Sequence, residues 1–124
     1  MNREQAQKVV NELNTEYRDL INKSLYNKLG VTVDMEASFT EGRSDCYITL
    51  KDTNNNEDVD KKMRGNKILR ALFASVSLNI TAYEFSDSYT FSVGVSYRHN
   101  DGGSNGHSLF YMYIDKNTKK VSYR

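Results

Sequence analysis

The sequence predicts one α+β domain over residues 1–124, in which two helices pack on one face of an antiparallel sheet. Three observations lead to this prediction. The N-terminal quarter has a helical apolar stripe, the C-terminal half alternates with a period of two, and short turn-forming segments separate the alternating runs. Hairpin-connected strands are antiparallel, so the predicted order is α-β-β-α-β-β-β-β.

Residues 3–29 form the first predicted helix. Asn2 and Gln5 fit a capping box at its start, and Gly30 is a typical residue just past a helix end. Apolar residues recur at spacings of three and four, which places them on one stripe. These residues are Ala6, Val10, Leu13, Tyr17, Leu20, Ile21 and Leu25.

The clearest alternation runs from Tyr89 to Tyr97, with large apolar side chains at every second position and small residues between them. The large side chains therefore share one face of a sheet, and the small ones share the other. Weaker alternation and turn signals predict the other strands. Their predicted ranges are 31–39, 46–51, 79–85, 108–114 and 119–124.

The second helix is predicted to begin near Asp58, after a polar loop over residues 52–57. Gly65 interrupts its apolar stripe, so we expect the regular part to run from Asn66 to about Val76. Residues 99–107 contain three glycines and are predicted to form a long flexible loop.

Composition restricts the classes of protein. The net charge is +1, but residues 31–60 carry eight acids against two bases. Cys46 is the only cysteine, which excludes an internal disulfide and fits a reducing compartment. The N-terminus lacks the apolar run of a secretory signal, and no segment approaches the length of a bilayer span. We therefore expect a soluble cytoplasmic protein without membrane association.

Tyrosines on the predicted strands are the leading candidates for a binding surface. An exposed tyrosine supplies rigid, amphipathic contact area, and two helices leave part of a six-stranded sheet uncovered. The alternative is that the rings complete the core or form cross-strand pairs. The candidates are Tyr47, Tyr83, Tyr111, Tyr113 and Tyr123.

Basic residues offer a second candidate surface. Lys61, Arg64 and Lys67 share one side of the second helix if that helix is continuous. Together with Lys119, Lys120 and Arg124, they would form a basic patch beside the aromatic residues, as single-stranded nucleic acid requires. The near-neutral charge argues against this reading, because nucleic-acid domains are usually strongly basic.

Two polar segments contain residue types that bind metals. His99, Asp101 and His107 lie in or beside the glycine-rich loop, where flexible glycines oppose a rigid ligand set. Residues 52–56 begin like a calcium loop, but Glu57 and Met63 occupy positions that require Gly and Glu. We predict no metal, no cofactor and no catalytic residue, because no nucleophile–base motif or carboxylate pair is present. Glu84 is the one carboxylate within a mostly apolar strand.

The last hairpin, residues 113–121, resembles the terminal hairpins of PepSY-like and cystatin-like domains, and this resemblance implies no function. The sequence favours a non-catalytic module that binds another protein, of the inhibitor, immunity or adaptor type. Its richness in Asn, Lys and Tyr suggests an AT-rich source such as a low-GC bacterium or its phage, and hence an anti-defence or accessory protein acting in the host cytoplasm. The alternatives are a cystatin- or NTF2-like ligand-pocket domain, including an enzyme, and a single-stranded nucleic-acid binder. An edge strand offers a route to a homo-oligomer.

Overall fold

The computed structural model describes all 124 residues and confirms the α+β class. Six strands form one antiparallel sheet in which each strand pairs with the next along the chain. The strands are β1 (Met35–Glu41), β2 (Cys46–Asp52), β3 (Phe73–Glu84), β4 (Ser88–His99), β5 (Ser104–Asp115) and β6 (Val121–Tyr123). This meander keeps neighbouring strands adjacent in sequence, so short turns make most of the connections.

One long helix covers the inner face of the sheet. It comprises α1 (Arg3–Glu12), a π-helical segment (Leu13–Tyr17) and α2 (Arg18–Leu29). The capping box is present, since the side chain of Asn2 accepts from the Gln5 N–H and the side chain of Gln5 accepts from the Asn2 N–H. Gly30 ends the helix in the left-handed region at φ 69°. None of the helices has the length and apolar character needed to cross a bilayer.

The core lies between this helix and the inner face. Tyr89, Phe91 and Val93 of β4 have no solvent exposure. Tyr17 of the helix meets Tyr89 edge to face, with 5.1 Å between ring centroids. The predicted alternation of β4 therefore places its large residues in the core, where the burial of apolar surface stabilises the fold.

The second helical region differs from the prediction. It forms two short helices, α3 (Glu57–Met63) and α4 (Lys67–Leu72), and the break falls at Gly65. The expectation of helix up to Val76 is wrong, because β3 begins at Phe73. Val76, Leu78 and Ile80 are buried at a period of two, so packing on the inner face decides the conformation of this segment.

Other predicted strand boundaries also differ from the structure. The expected long loop over residues 99–107 is shorter, since β4 continues to His99 and β5 begins at Ser104. Strand β1 begins at Met35 rather than at residue 31. Val31 and Val33 are nevertheless buried, so their alternation reflects the burial of side chains in the segment that connects α2 to β1.

Side chains from the helices cover the unpaired edges of two strands. Asn14 both donates to the Ala37 carbonyl (3.0 Å) and accepts from its N–H (2.7 Å) on the outer edge of β1. Asn22 accepts from the Met35 N–H on the same edge. These amide groups supply hydrogen bonds that a neighbouring strand would otherwise make.

The part of β3 that extends beyond β2 is covered in the same way. Asp60 accepts from the Val76 N–H at 2.9 Å, and Asn56 accepts from the Leu78 N–H at 3.1 Å. Arg64 holds Asp60 through two hydrogen bonds of 2.7 Å and donates to the Phe73 carbonyl. The α3 helix is therefore fixed against β3 by three hydrogen bonds to the backbone of that strand, and the ion pair within the helix holds the Asp60 and Arg64 side chains that make two of them.

Candidate functional site: the outer face of the sheet

The face of the sheet opposite the long helix, here called the outer face, carries no helix. Strand alternation assigns Tyr47, Tyr83 and Tyr111 to it, and their exposed fractions are 49%, 49% and 47%. Tyr113 shares this face and is half-buried. Four of the five predicted binding tyrosines are thus brought to one surface.

Two small residues of β4, Thr90 and Ser92, lie between Tyr83 of β3 and the pair Tyr111 and Tyr113 of β5, and they form the floor of a short, shallow channel on the outer face. Thr90, Ser92, Gly94 and Ser96 are the outward-facing residues of this strand. Thr90 lies between Tyr83 of β3 and Tyr113 of β5 in the register. Strands are about 4.8 Å apart, so the tyrosines that flank β4 stand roughly 10 Å apart, which is wide enough for an extended peptide.

An apolar hollow lies beside the channel, where β2 and β3 separate. Their pairing ends at Ile48 and Ala82, and the gap beyond has a volume of about 310 Å³. Seven of its nine lining residues are hydrophobic. They are Met1, Cys46, Tyr47, Ile48, Ala82, Tyr83 and Phe85. A hollow of this composition fits an apolar side chain.

Bases outnumber free acids on the outer face. Lys51, Arg98, Lys120 and Arg124 project from it by strand alternation. Of its two acids, Glu36 lies opposite Lys51 in the register. Asp115 accepts from the N–H groups of Thr118 and Asn117, and these bonds lower the pKa of its carboxyl group. Both carboxylates keep their negative charge, and four bases against two acids still give the outer face a field that favours an acidic partner.

Aromatic and polar groups also line a second hollow at the β6 side of this face. The Arg124 guanidinium lies 5.3 Å from the centre of the Tyr113 ring. The hollow beside them has a volume of about 460 Å³ and is mainly polar, with Ser88, Lys120 and Ser122 among its lining residues. Its chemistry suits the polar rim of an interface.

Tyr123 lies on the other side of the sheet. Its hydroxyl donates to the Ser24 carbonyl at 3.0 Å, and its ring packs edge to face against Phe110 at 5.7 Å. Residues 112 and 123 are register partners, and Met112 is fully buried. Tyr123 therefore joins the sheet to the helix and is not part of the outer face.

The predicted basic residues do not form one patch. Arg64 is bound to Asp60, whose carboxylate raises the pKa of the guanidinium. Lys61 and Lys67 belong to the helices beside residues 73–78 of β3, whereas Lys119 and Lys120 follow the turn at the opposite end of the sheet. Lys119 lies 3.5 Å from the centre of the Tyr17 ring on the helix side.

The three candidate residues in and beside the glycine-rich segment each contact a different partner nearby. His99 hydrogen-bonds to Asn105 at 2.9 Å, and His107 meets the Tyr97 ring at 5.6 Å. Asp101 accepts from the Gly103 N–H within the turn. No group of three or more His, Cys, Asp or Glu side chains converges to hold a metal ion.

Two acids considered in the sequence also have structural partners. Asp52 accepts from the N–H groups of Asp34, Asn54 and Asn56, as expected of a polar turn. Glu84 accepts from the Tyr89 hydroxyl at 3.3 Å and from Lys116 at 3.0 Å. Burial raises the pKa of Tyr89 above its ordinary value, so its hydroxyl remains a hydrogen-bond donor.

Sequence reasoning missed Phe85, which is 56% exposed beside the apolar hollow, and the role of the small β4 residues as a channel floor. The alternation of β4 contained the signal for the floor. Phe85 gave no signal, because an apolar residue at a strand end is more often buried.

No protein-family model, curated protein or solved structure gives a significant match to the chain.

Proposed function

We propose that this chain is a non-catalytic protein-binding domain that holds an extended segment of its partner in the outer-face channel. The observation that supports this proposal is the set of half-exposed tyrosines on a face that no helix covers. Tyr side chains contribute large contact area at low entropic cost and are enriched among the residues that dominate binding energy.

The partner's chemistry follows from the composition of the outer face. Its free charges are mainly basic, so an acidic protein surface is attracted to it. The apolar hollow beside Tyr47 and Tyr83 accepts one apolar side chain of the partner. An inhibitor, immunity or adaptor protein, encoded by a phage or mobile element, would act through such a surface.

A comparison of matched variants tests this proposal. The double variant Tyr83→Ser/Tyr111→Ser removes two channel walls, whereas Tyr26→Ser removes an equally exposed tyrosine from α2. Each immobilised protein is exposed to nuclease-treated lysate of a low-GC bacterium at low and at high salt. We expect a protein that the wild type and Tyr26→Ser retain at both salt concentrations, and that the double variant loses.

A photoreactive amino acid at Ser92 of the channel floor identifies the contact directly. The same group at the exposed Asn27 of α2 is the control. Crosslinking to the captured protein from position 92 and not from position 27 supports the proposal. Retention that is insensitive to the tyrosine changes would refute it.

Single-stranded nucleic acid is the second candidate, because Arg98, Lys120 and Arg124 accompany aromatic rings on the same face. Fluorescence anisotropy with a labelled oligonucleotide tests it. Binding that falls steeply with salt and requires Tyr111 would replace the protein-binding proposal.

A further inference from the structure

The two charged side chains that line the apolar hollow between β2 and β3 are both acids. Asp45 and Glu84 line it together with seven hydrophobic residues, and no Lys, Arg or His side chain is among the nine. Asp45 is engaged by the amino group of Met1, so Glu84 is the acid that can serve a ligand. Apolar walls with a carboxylate among them suit an organic cation.

Three aromatic rings stand around the hollow. The pairing of β2 with β3 ends at Ile48 and Ala82, and the strands separate beyond these residues. Tyr47 and Tyr83 are the next residues on the two strands, and Phe85 follows directly after β3. All three side chains line the hollow, and each is about half exposed. A ligand in the hollow would therefore lie among three accessible rings.

These three rings have no aromatic or cationic partner within the chain. Elsewhere, aromatic rings pack against one another or lie beside a base, as the Tyr89 ring lies 4.8 Å from the Lys116 amine. No ring stacks on Tyr47, Tyr83 or Phe85, and no base lies over them. The face of an aromatic ring carries partial negative charge and attracts a cation. The rings of the hollow are therefore available to a cation from outside the chain.

One carboxylate oxygen beside the hollow is also available. The Tyr89 hydroxyl and the Lys116 amine both donate to Oε2 of Glu84, at 3.3 Å and 3.0 Å, and neither donates to Oε1. By strand alternation, Glu84 lies on the helix side of the sheet and Tyr83 lies on the outer face. The carboxylate and the rings therefore line the hollow from opposite sides.

We propose that the hollow binds a quaternary ammonium group, with its methyl groups against the rings and its charge near Oε1 of Glu84. Such a group has an apolar surface and donates no hydrogen bond, so apolar walls and one carboxylate oxygen satisfy it. A Lys ammonium or an Arg guanidinium has several donors to satisfy, and these walls offer few acceptors. The volume of about 310 Å³ is small for a ligand site and fits a head group.

Two sources can supply this group, namely a methylated lysine side chain and a free small molecule such as choline. The first source rests on the proposed function, because the methylated lysine would be the side chain that the partner places in the hollow. The second source does not depend on that function. The chemistry of recognition is the same for both.

A neutral isostere separates charge from apolar fit. Neohexyl alcohol has the shape of choline, because a carbon atom replaces the nitrogen. In NMR titrations, choline should shift the ring signals of Tyr47, Tyr83 and Phe85 with a roughly millimolar dissociation constant, and the alcohol should bind at least about tenfold more weakly. Equal binding of the two compounds would overturn the proposal, and so would no binding of choline up to roughly 50 mM.

Matched variants test whether choline binds in the hollow. Tyr47→Leu and Tyr83→Leu keep an apolar side chain and remove the ring, and Glu84→Gln removes the charge while keeping a hydrogen-bond acceptor. Each change should weaken choline binding by about threefold to tenfold, whereas Tyr26→Leu, at an exposed position of α2, should not change it. Choline binding that all three hollow variants leave unchanged would overturn the proposal.

A short acidic peptide that contains one trimethyllysine distinguishes the two sources. For a protein-borne group, the peptide should bind at least about tenfold more tightly than choline, and Tyr111→Ser should weaken the peptide alone. For a free small molecule, the peptide should bind no more tightly than choline. Loss of the lysate partner with retained binding of choline would count against the proposed function and would leave the ammonium site standing.

Discussion

Replacing Asn14 by alanine tests whether the long helix acts as a substitute strand for the edge of β1. The Asn14 amide group makes two hydrogen bonds to one residue, with the Ala37 N–H at 2.7 Å and its carbonyl at 3.0 Å. Ala37 is only 3% exposed. Truncation of Asn14 therefore leaves a donor and an acceptor of a buried residue without partners.

The expected loss follows from the cost of unsatisfied polar groups. Leaving one buried donor or acceptor unpaired costs about 1–3 kcal/mol, and partial hydration at a strand edge reduces this cost. Two such groups give an expected decrease of about 2–4 kcal/mol in the free energy of unfolding. For a chain of this size, the melting temperature should fall by roughly 10 °C.

Urea unfolding followed by circular dichroism measures this change. Asn27→Ala, on an exposed position of α2, is the matched control and should stay within about 0.5 kcal/mol of the wild type. The isosteric Asn14→Asp separates hydrogen bonding from packing, because a carboxylate cannot donate to the Ala37 carbonyl and should be at least as destabilising at pH 7. If Asn14→Ala or Asn14→Asp unfolds at the wild-type urea concentration, the edge-covering role is refuted.

Three further changes should have measurable effects. Hydrogen bonds from Arg18 and Arg64 lower the pKa values of Asp34 and Asp60, respectively. The two carboxylates therefore stabilise the fold fully above their unfolded-state pKa near 4, and this contribution is lost as the pH falls through their lower folded-state pKa values. The urea midpoint should drop between about pH 4 and pH 2, and a midpoint that does not change with pH would contradict this. Phe91→Ala should reduce the free energy of unfolding by about 3–5 kcal/mol, because the ring is fully buried, and a loss below about 1 kcal/mol in urea unfolding would contradict the packing described. Gly30→Ala should lower the melting temperature at a cost of about 1 kcal/mol, because φ is 69° and the new Cβ would lie 2.6 Å from the Lys62 amine; an unchanged melting temperature would argue against this.

Much of the fold was predictable because local signals agreed with tertiary packing. The helix over residues 3–29 combines a capping box, an apolar stripe and a terminal glycine, and the structure keeps all three. The alternation of β4 was equally reliable, because its large residues are all on the core side. Residues 66–76 were mispredicted because they fit both the helical period and the strand period of two. Their apolar residues Leu69, Leu72, Phe73 and Val76 fit a helical stripe, but pairing with β4 makes the segment from Phe73 onward a strand.

The candidate site was only partly predictable. Strand alternation indicated that Tyr111 and Tyr113 share a face, but it could not assign Tyr123, whose face depends on the register between β5 and β6. Likewise, Lys61 and Lys119 lie at opposite ends of the sheet, and their spacing along the sequence does not show this separation. Long-range pairing decides both outcomes.

Periodicity and capping act over a few residues, so they suffice to specify the class of the domain, the position of the long helix, and the residues of β4 that enter the core. The exposure of the tyrosines and the covering of strand edges by the helices depend instead on how the sheet is assembled. Those properties arise from groups far apart in the chain: the Asn14 amide finds its partner 23 residues away, and the Tyr123 hydroxyl finds its acceptor 99 residues away. Contacts of that separation form only when the whole sheet is assembled, so they cannot be inferred from any local pattern.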